Sequence, residues 1–95
     1  MILIDPPTVP AHGRLWSHLV SDTSYDELHE FAAAAGVPAR GFDRDHYDVP
    51  GEWYDALVAA GAVPVRSREL VRRLIAAGLR VRRTAQTSKV PPERQ

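Results

Sequence analysis

Short apolar runs alternate with amphipathic stretches along this chain, and the alternation predicts an α/β fold. Apolar or β-branched residues bounded by proline, glycine and polar residues indicate short strands. The predicted strands span residues 2–4, 15–20, 42–49 and 63–65, and a further short strand is predicted over 79–83.

The clearest helix is predicted over residues 24–35. Ser24 and Glu27 have the spacing of a capping box, in which the serine hydroxyl accepts from a free backbone amide. Gly36 stands where a left-handed helix terminator belongs. The apolar stripe between them follows the spacing i, i+3, i+4 and i+7 and consists of Leu28, Phe31, Ala32 and Ala35.

Two further helices are predicted in the second half of the chain. Pro50 suits the first turn of one of them, which runs to Ala60 before Gly61. Ser67 is the predicted N-cap of the other, which ends at Gly78. Its inward-facing residues are predicted to be Leu70, Val71, Leu74 and Ile75.

The predicted order is strand, strand, helix, strand, helix, strand, helix. Helices between strands favour crossover connections, so we expect a small, mainly parallel sheet of four to five short strands with three helices packed on it. The direction of the first strand stays open, because it could also pair as an antiparallel hairpin partner. We expect one α/β domain over residues 1–83 and a disordered tail over 84–95, where the polar, proline-bearing sequence has no periodicity.

The composition narrows the classes of protein. The chain has no cysteine, which excludes a disulfide framework and a thiolate zinc site. No apolar run approaches the ~20 residues that cross a bilayer, and the first residues lack the basic and long apolar regions of a signal peptide. We therefore expect a cytoplasmic protein that does not bind membranes.

A net charge of zero hides a separation of charge along the chain. Residues 1–55 carry ten acidic side chains against three arginines, whereas residues 56–95 carry nine basic side chains against two acidic ones. Such a separation favours a homodimer or a basic C-terminal surface for phosphate groups. Alternatively, the two halves neutralise each other within one molecule.

Residues 2–78 resemble domain-of-unknown-function family 4031, small proteins of bacteria and their phages. The likeness implies no activity, but it marks the polar positions of its motifs as the ones to examine. The motifs that carry the resemblance are Ile4-Asp5, HLVSDT at 18–23, Glu27-Leu28-His29, His46-Tyr47-Asp48 and Ala60-Gly61-Ala62.

Polar residues follow the predicted strands. In a parallel sheet such residues gather at one edge, where open α/β sheets bind ligands. Imidazole and carboxylate groups suit a divalent metal such as zinc or manganese, with an open position that activates water. The predicted metal ligands are His18, Asp22, His46 and Asp48, and the candidate catalytic residues are Asp22, His46 and Asp48.

The same edge also predicts an anion site. A helix N-terminus with nearby arginines attracts phosphate, so we expect Arg66, Ser67 and Arg68 to bind a phosphate-containing ligand. Asp22 and His29 have structural alternatives, as a helix-start residue and as a packed histidine. The further candidate site residues are Asp5, His12, Arg14 and His29.

Two functions fit these features. The first is a metal- or phosphate-binding, hydrolase-like protein, and the second is a non-catalytic adaptor that binds nucleic acid or protein through its basic third helix and tail. A cysteine nucleophile and a G-x-S-x-G serine nucleophile are excluded. Convergence of the polar motifs in space favours the first function, and a continuous arginine face favours the second.

Overall fold

The computed structural model describes residues 1–81, which form a six-stranded sheet and three α-helices. The strands are β1 (Ile2–Ile4), β2 (Val9–Ala11), β3 (Arg14–Ser21), β4 (Phe42–Asp43), β5 (His46–Pro50) and β6 (Val63–Pro64). The helices are α1 (Tyr25–Ala35), α2 (Tyr54–Ala59) and α3 (Ser67–Ala76), with 3-10 turns at Ala39–Gly41 and Gly51–Trp53. The predicted tail lies outside the described residues, and residues 79–81 form no strand.

The sheet is mixed and mostly antiparallel. Its order is β4-β5-β3-β1-β6, and β2 pairs with β3. Only β1 and β6 run parallel, whereas every other pair of neighbouring strands is antiparallel. The three predicted helices are present, but the prediction of a mainly parallel sheet of four to five strands is wrong.

Two tight hairpins account for this difference, because a two-residue loop can join only antiparallel strands. His12 and Gly13 connect β2 to β3 with φ values of 53° and 77°, and two successive positive φ angles are typical of a type I′ turn. Arg44, with φ 60°, lies in the turn from β4 to β5. The predicted strand over 42–49 is therefore two strands.

The two faces of the sheet pack against different helices. The larger core lies between one face and the helices α1 and α2, and its sheet residues include Ile4, Leu19, Tyr47 and Val49. On the opposite face, Leu3 and Val20 pack against Leu70 and Leu74 of α3. Because α3 lies over β1 and the end of β3, it leaves the neighbouring part of β3 and β5 to polar side chains.

The helices follow the sequence predictions with local changes. Ser24 caps α1 by accepting from the Glu27 amide at 3.0 Å, and Gly36 ends it in the left-handed conformation. The Ser67 prediction is wrong in detail, because the N-cap of α3 is Arg66 and its side chain makes no capping bond. The predicted inward position of Ile75 is also wrong, since this residue is 59% exposed. Pro50 ends β5 instead of beginning α2.

Ion pairs join the acidic and basic parts of the chain. Arg73 Nη2 lies 2.6 Å from Asp22 Oδ2, and Arg80 Nη1 lies 3.8 Å from Asp45 Oδ2. Both pairs connect an acid of residues 1–55 with an arginine of the later segment, so part of the charge separation is neutralised internally. Within residues 1–81, no helix has the length and apolar character needed to cross a membrane.

Candidate metal centre

Three potential metal ligands converge on the polar part of the α3 face. His18 lies on β3 and is paired in register with Asp48 of β5. His46 lies two residues before Asp48, and side chains two apart on a strand point to the same face. The Tyr47 side chain between them packs into the core on the opposite face. Strand alternation therefore brings two imidazoles and one carboxylate together.

The donor atoms of this cluster are close enough to share one ion. His46 Nε2 lies 3.2 Å from Asp48 Oδ1, and His18 Nε2 lies 3.9 Å from the same oxygen. One ligand atom of each residue lies within 4.8 Å of the other two. Donors around one tetrahedral ion, with bond lengths of about 2.0–2.2 Å, lie roughly 3.3–3.6 Å apart. Small side-chain movements would bring the three atoms to these separations.

A buried carboxylate orients His18 from behind. Asp5 is 1% exposed, and its Oδ2 lies 2.9 Å from His18 Nδ1. Burial alone would raise the pKa of Asp5, but hydrogen bonds from the His18 ring, the His18 amide and the Ser67 hydroxyl outweigh burial and lower it. The same bond to Asp5 raises the pKa of His18 against the opposing effect of burial. A proton on Nδ1 that faces Asp5 leaves the Nε2 lone pair directed towards the cluster.

His46 has an equivalent partner. Asp45 is 2% exposed, and its Oδ1 lies 2.7 Å from His46 Nδ1. The other carboxylate oxygen accepts from the Val81 amide at 2.8 Å and lies 3.8 Å from Arg80 Nη1. The two histidines therefore have the same arrangement, with Nδ1 on a buried carboxylate and Nε2 facing Asp48.

Both ends of α3 are attached to these buried carboxylates. Ser67, its first residue, donates its hydroxyl to Asp5 Oδ2 at 2.6 Å. Val81, just beyond its last turn, donates its amide to Asp45. Between these attachments, the site opens into a cavity of about 380 Å³ that is also lined by Leu70 and other α3 residues. Docking of α3 and orientation of the histidines thus depend on the same hydrogen bonds.

The open side of the cluster is the cavity. The Asp48 side chain is 43% exposed, whereas those of His18 and His46 are 31% and 15% exposed. A site with three protein ligands on one side and solvent on the other can hold a metal ion and leave at least one coordination position for water or substrate. Such an ion can polarise a bound substrate and lower the pKa of bound water.

Comparison with known proteins identifies the family. The model of a protein family described as "Protein of unknown function (DUF4031)" matches residues 2–77. The chain belongs to the DUF4031 family. A search of curated proteins and a search of solved structures each returned no match.

Asp22 of this DUF4031 protein lies away from the cluster, so the prediction that it meets His46 and Asp48 is wrong. Because β3 is antiparallel to β1 and β5, its carboxyl end points to the opposite edge of the sheet. Four residues separate Asp22 from His18, or about 13 Å of strand. Asp22 instead contacts Arg73 at 2.6 Å and the amino-terminal ammonium at 3.0 Å.

Asp5, unlike Asp22, does lie next to the cluster. Asp5 lies beside His18, which is in the middle of β3, although β1 runs antiparallel to β3. The site is not at the end of β3, so the direction of that strand does not separate the two residues. Backbone pairing reinforces the contact, since the Asp5 amide donates to the His18 carbonyl at 3.2 Å.

The predicted anion site does not form one group. Ser67 lines the cavity beside the His18–His46–Asp48 cluster and is bound to Asp5, whereas Arg66 and Arg68 are exposed and do not line that cavity. The arginines that do line it are Arg44 and Arg80, and neither was among the predicted site residues. The turn before His46 and the segment after α3 bring them there.

The remaining candidates have different surroundings. His29 lies on the α1 face, where its Nδ1 is 2.7 Å from the Tyr47 hydroxyl, so it is on the other side of the sheet from the cluster. His12, in the β2–β3 turn, and Arg14, the first residue of β3, line a second cavity that is also lined by Asp48. Asp45 was not predicted, although its position next to His46 in the polar run FDRDHYDV could have indicated a histidine partner.

Proposed function

We propose that this DUF4031 protein is a metal-dependent hydrolase that binds zinc or manganese through His18, His46 and Asp48. The observation that carries the proposal is the paired orientation of the histidines. Each Nδ1 is held by a nearly fully buried carboxylate, and each Nε2 faces the Asp48 carboxylate. In protein metal sites a ligating histidine commonly donates its other ring N–H to a carboxylate, which fixes the orientation of the ring and makes it a stronger ligand.

Electrostatics supports a cation in this place. The carboxylates of Asp5, Asp45 and Asp48 lie within a few ångströms of two imidazoles. Burial of like charges is costly unless they are paired. Arg80 lies 3.8 Å from Asp45, but among residues 1–81 the Asp48 carboxylate has no arginine, lysine or amino-terminal group within 4 Å, and its two imidazole neighbours must be neutral to bind a metal. A divalent cation would supply the missing positive charge.

The ligand set favours catalysis over a structural role. Structural zinc sites have four protein ligands, whereas catalytic sites have three and keep a position open. Here the open position faces a cavity lined by Arg44 and Arg80, which suits an anionic substrate such as a phosphate ester. In the hydrolysis, the water oxygen bonds to phosphorus, the ester P–O bond breaks, and a proton from the water goes to the leaving oxygen.

The adaptor alternative has less support from the described residues. Arg73 of α3 pairs with Asp22 and Glu69, and Arg72 also contacts Glu69. Two of the α3 arginines are therefore neutralised by acids of the same molecule. A continuous basic face, which was the expected sign of a nucleic-acid adaptor, is interrupted.

Metal titration of two matched variants tests the proposed site. Asp48→Asn removes a ligand charge, and Asp43→Asn makes the same change at a residue that is equally exposed in the same cavity but outside the cluster. Calorimetry with zinc and manganese should show one site per chain, at least about 10-fold weaker binding in Asp48→Asn, and an unchanged affinity in Asp43→Asn. Absence of binding to the wild type, or equal losses in both variants, would overturn the proposal.

Hydrolysis is tested separately with the metal-loaded protein. We expect turnover of para-nitrophenyl phosphate or of its bis-ester that disappears in Asp48→Asn and persists in Asp43→Asn. A wild type that binds the metal but cleaves neither ester would contradict phosphate-ester hydrolysis and leave metal binding as the function.

A further inference from the structure

A second cavity adjoins the metal centre. It measures about 530 Å³, which is within the range of small-molecule sites, and it shares Asp43 and Asp48 with the first cavity. Asp48 therefore borders both the proposed metal centre and this groove. A molecule lying in the groove would reach the metal centre at Asp48.

All three arginines of the acidic segment 1–55 line either the groove or the cavity of the proposed metal centre. Residues 1–55 contain ten acidic side chains but only three arginines, Arg14, Arg40 and Arg44. Arg14 and Arg40 line the groove, and Arg44 lines the metal cavity. Placement of all three next to one site, in a segment of net negative charge, indicates an anionic ligand. Guanidinium groups bind phosphate particularly well because their planar donors can bind two oxygens at once.

Aromatic side chains line the groove together with the arginines. Trp16 is held in place by its indole Nε1, which donates to the Ala11 carbonyl at 2.8 Å, and the Arg14 guanidinium lies 5.9 Å from its ring centroid. Trp53 also lines the groove and is 38% exposed. Bases stack on tryptophan faces and arginines attract the phosphates when proteins bind single-stranded nucleic acid, so this combination of side chains suits a nucleotide.

We propose that this groove binds a nucleoside phosphate, with its base against Trp16 and Trp53 and its phosphate between Arg14, Arg40 and the metal centre. The proposal rests on the proposed function and names its substrate class. A sugar phosphate would leave the tryptophans without a partner, and a free nucleoside would leave the arginines unpaired. The ligand is either a free mononucleotide or one nucleotide of a single strand, since both offer the same base and phosphate.

Calorimetry with a set of four probes tests this assignment. Adenosine monophosphate should bind the zinc-loaded protein, whereas ribose 5-phosphate and adenosine, which each lack one half, should bind at least about 10-fold more weakly. A short oligoadenylate is the fourth probe. Tighter binding of the oligonucleotide than of the mononucleotide assigns the groove to a strand, and the reverse order assigns it to a free nucleotide.

Variants locate the binding to the groove. Arg40 is exposed on the 3-10 turn, so Arg40→Gln should keep the fold and weaken adenosine monophosphate binding by about 10-fold. Arg68→Gln removes an equally exposed arginine outside both cavities and should leave the affinity unchanged. Trp53→Ala should weaken the base-containing probes and leave ribose 5-phosphate unaffected. Equal affinities for all four probes, or equal losses in Arg40→Gln and Arg68→Gln, would overturn the inference.

Metal-free protein separates this inference from the proposed function. After removal of metal by chelation, the groove should still bind adenosine monophosphate, more weakly, because Arg14, Arg40 and the tryptophans remain. Binding of zinc with no binding of nucleotide would overturn this inference and leave the metal site standing. Binding of nucleotide with no binding of zinc or manganese would support the groove and refute the metal centre.

Discussion

His46 Nε2 lies 3.2 Å from the Asp48 carboxylate on one face of β5, while the Tyr47 ring lies on the other face, in the core. One short strand therefore supplies two proposed metal ligands and one of the larger core residues. His46 and Asp48 come together without any contact between distant parts of the chain, because residues two apart on a strand share a face. Three consecutive residues of β5 can therefore contribute both to the proposed site and to the core beneath it.

Tyr47→Phe should separate these two roles. The change removes the hydroxyl that bonds His29 at 2.7 Å but keeps the buried ring, so we expect a loss of about 1 kcal/mol in the free energy of unfolding. Zinc affinity should stay the same, because the hydroxyl is on the opposite face from the cluster. Denaturant unfolding and calorimetry measure the two quantities. Tyr54→Phe, at a partly buried tyrosine of α2, is the matched control, and a large fall in zinc affinity in Tyr47→Phe would contradict the division of roles.

Local pattern was enough to predict part of this molecule. Helix α1 follows from its capping serine, apolar stripe and terminal glycine, and all three act within one element. His46 and Asp48 could be paired from the sequence for the same reason, since strand alternation alone brings them together. His18 was also among the predicted ligands, but its partner Asp48 is set by the pairing of β3 with β5.

Strand direction could not be predicted in the same way. Asp22 was expected beside His46 because a parallel sheet would bring their strand ends together, and a single antiparallel β3 reverses that relationship. The deciding signal was the turn from β4 to β5, which reverses the chain just before His46 and in which Arg44 takes a left-handed conformation that favours asparagine, aspartate or glycine. Asp45 depends on the chain after α3, because one of its oxygens bonds the Val81 amide 36 residues away.

The carboxylates behind the histidines should control metal affinity without touching the metal. Asp5→Asn and Asp45→Asn replace a charged acceptor with an amide that has one acceptor oxygen, although each native carboxylate accepts on both oxygens. We expect zinc affinity to fall by about 10–100-fold, which is the usual effect of losing the hydrogen-bond partner of a metal-ligating histidine. Unfolding free energy should fall by about 1–3 kcal/mol, because a buried hydrogen bond is lost.

Asp43→Asn again serves as the control, since its carboxylate is 49% exposed and lies in the same cavity. Calorimetry gives the affinity and denaturant unfolding gives the stability of each variant. If both aspartate variants lost stability but kept wild-type affinity for zinc, Asp5 and Asp45 would be structural residues and the support for the metal centre would be removed.

Self-association stays a prediction that follows from the charge separation. Internal pairs such as Asp22–Arg73 neutralise part of it, so we expect a weak dimer that is favoured by low salt. Sedimentation velocity over a range of protein concentrations, at low and at physiological salt, measures it. A single monomeric species under all of these conditions would rule out the dimer, and dimerisation that strengthens with salt would show that charge is not its cause.

The ion pair of Asp22 should make stability depend on pH in the acidic range. Burial by itself would raise the pKa of Asp22, but hydrogen bonds from the amino-terminal ammonium and from Arg73 outweigh it and lower the pKa below its ordinary value of 3.8. A carboxyl with a lower pKa in the folded state contributes stability above its unfolded pKa and loses that contribution as the pH falls through the folded pKa.

Asp22→Asn should therefore cost about 1 kcal/mol in unfolding free energy at neutral pH, and the difference from the wild type should shrink as the pH drops below about 4. Glu30→Gln, at an exposed residue of α1, should give no such pH-dependent difference, as measured by urea unfolding between pH 7 and pH 2. A constant difference between Asp22→Asn and the wild type across this range would show that Asp22 stabilises the protein through packing and not through its charge.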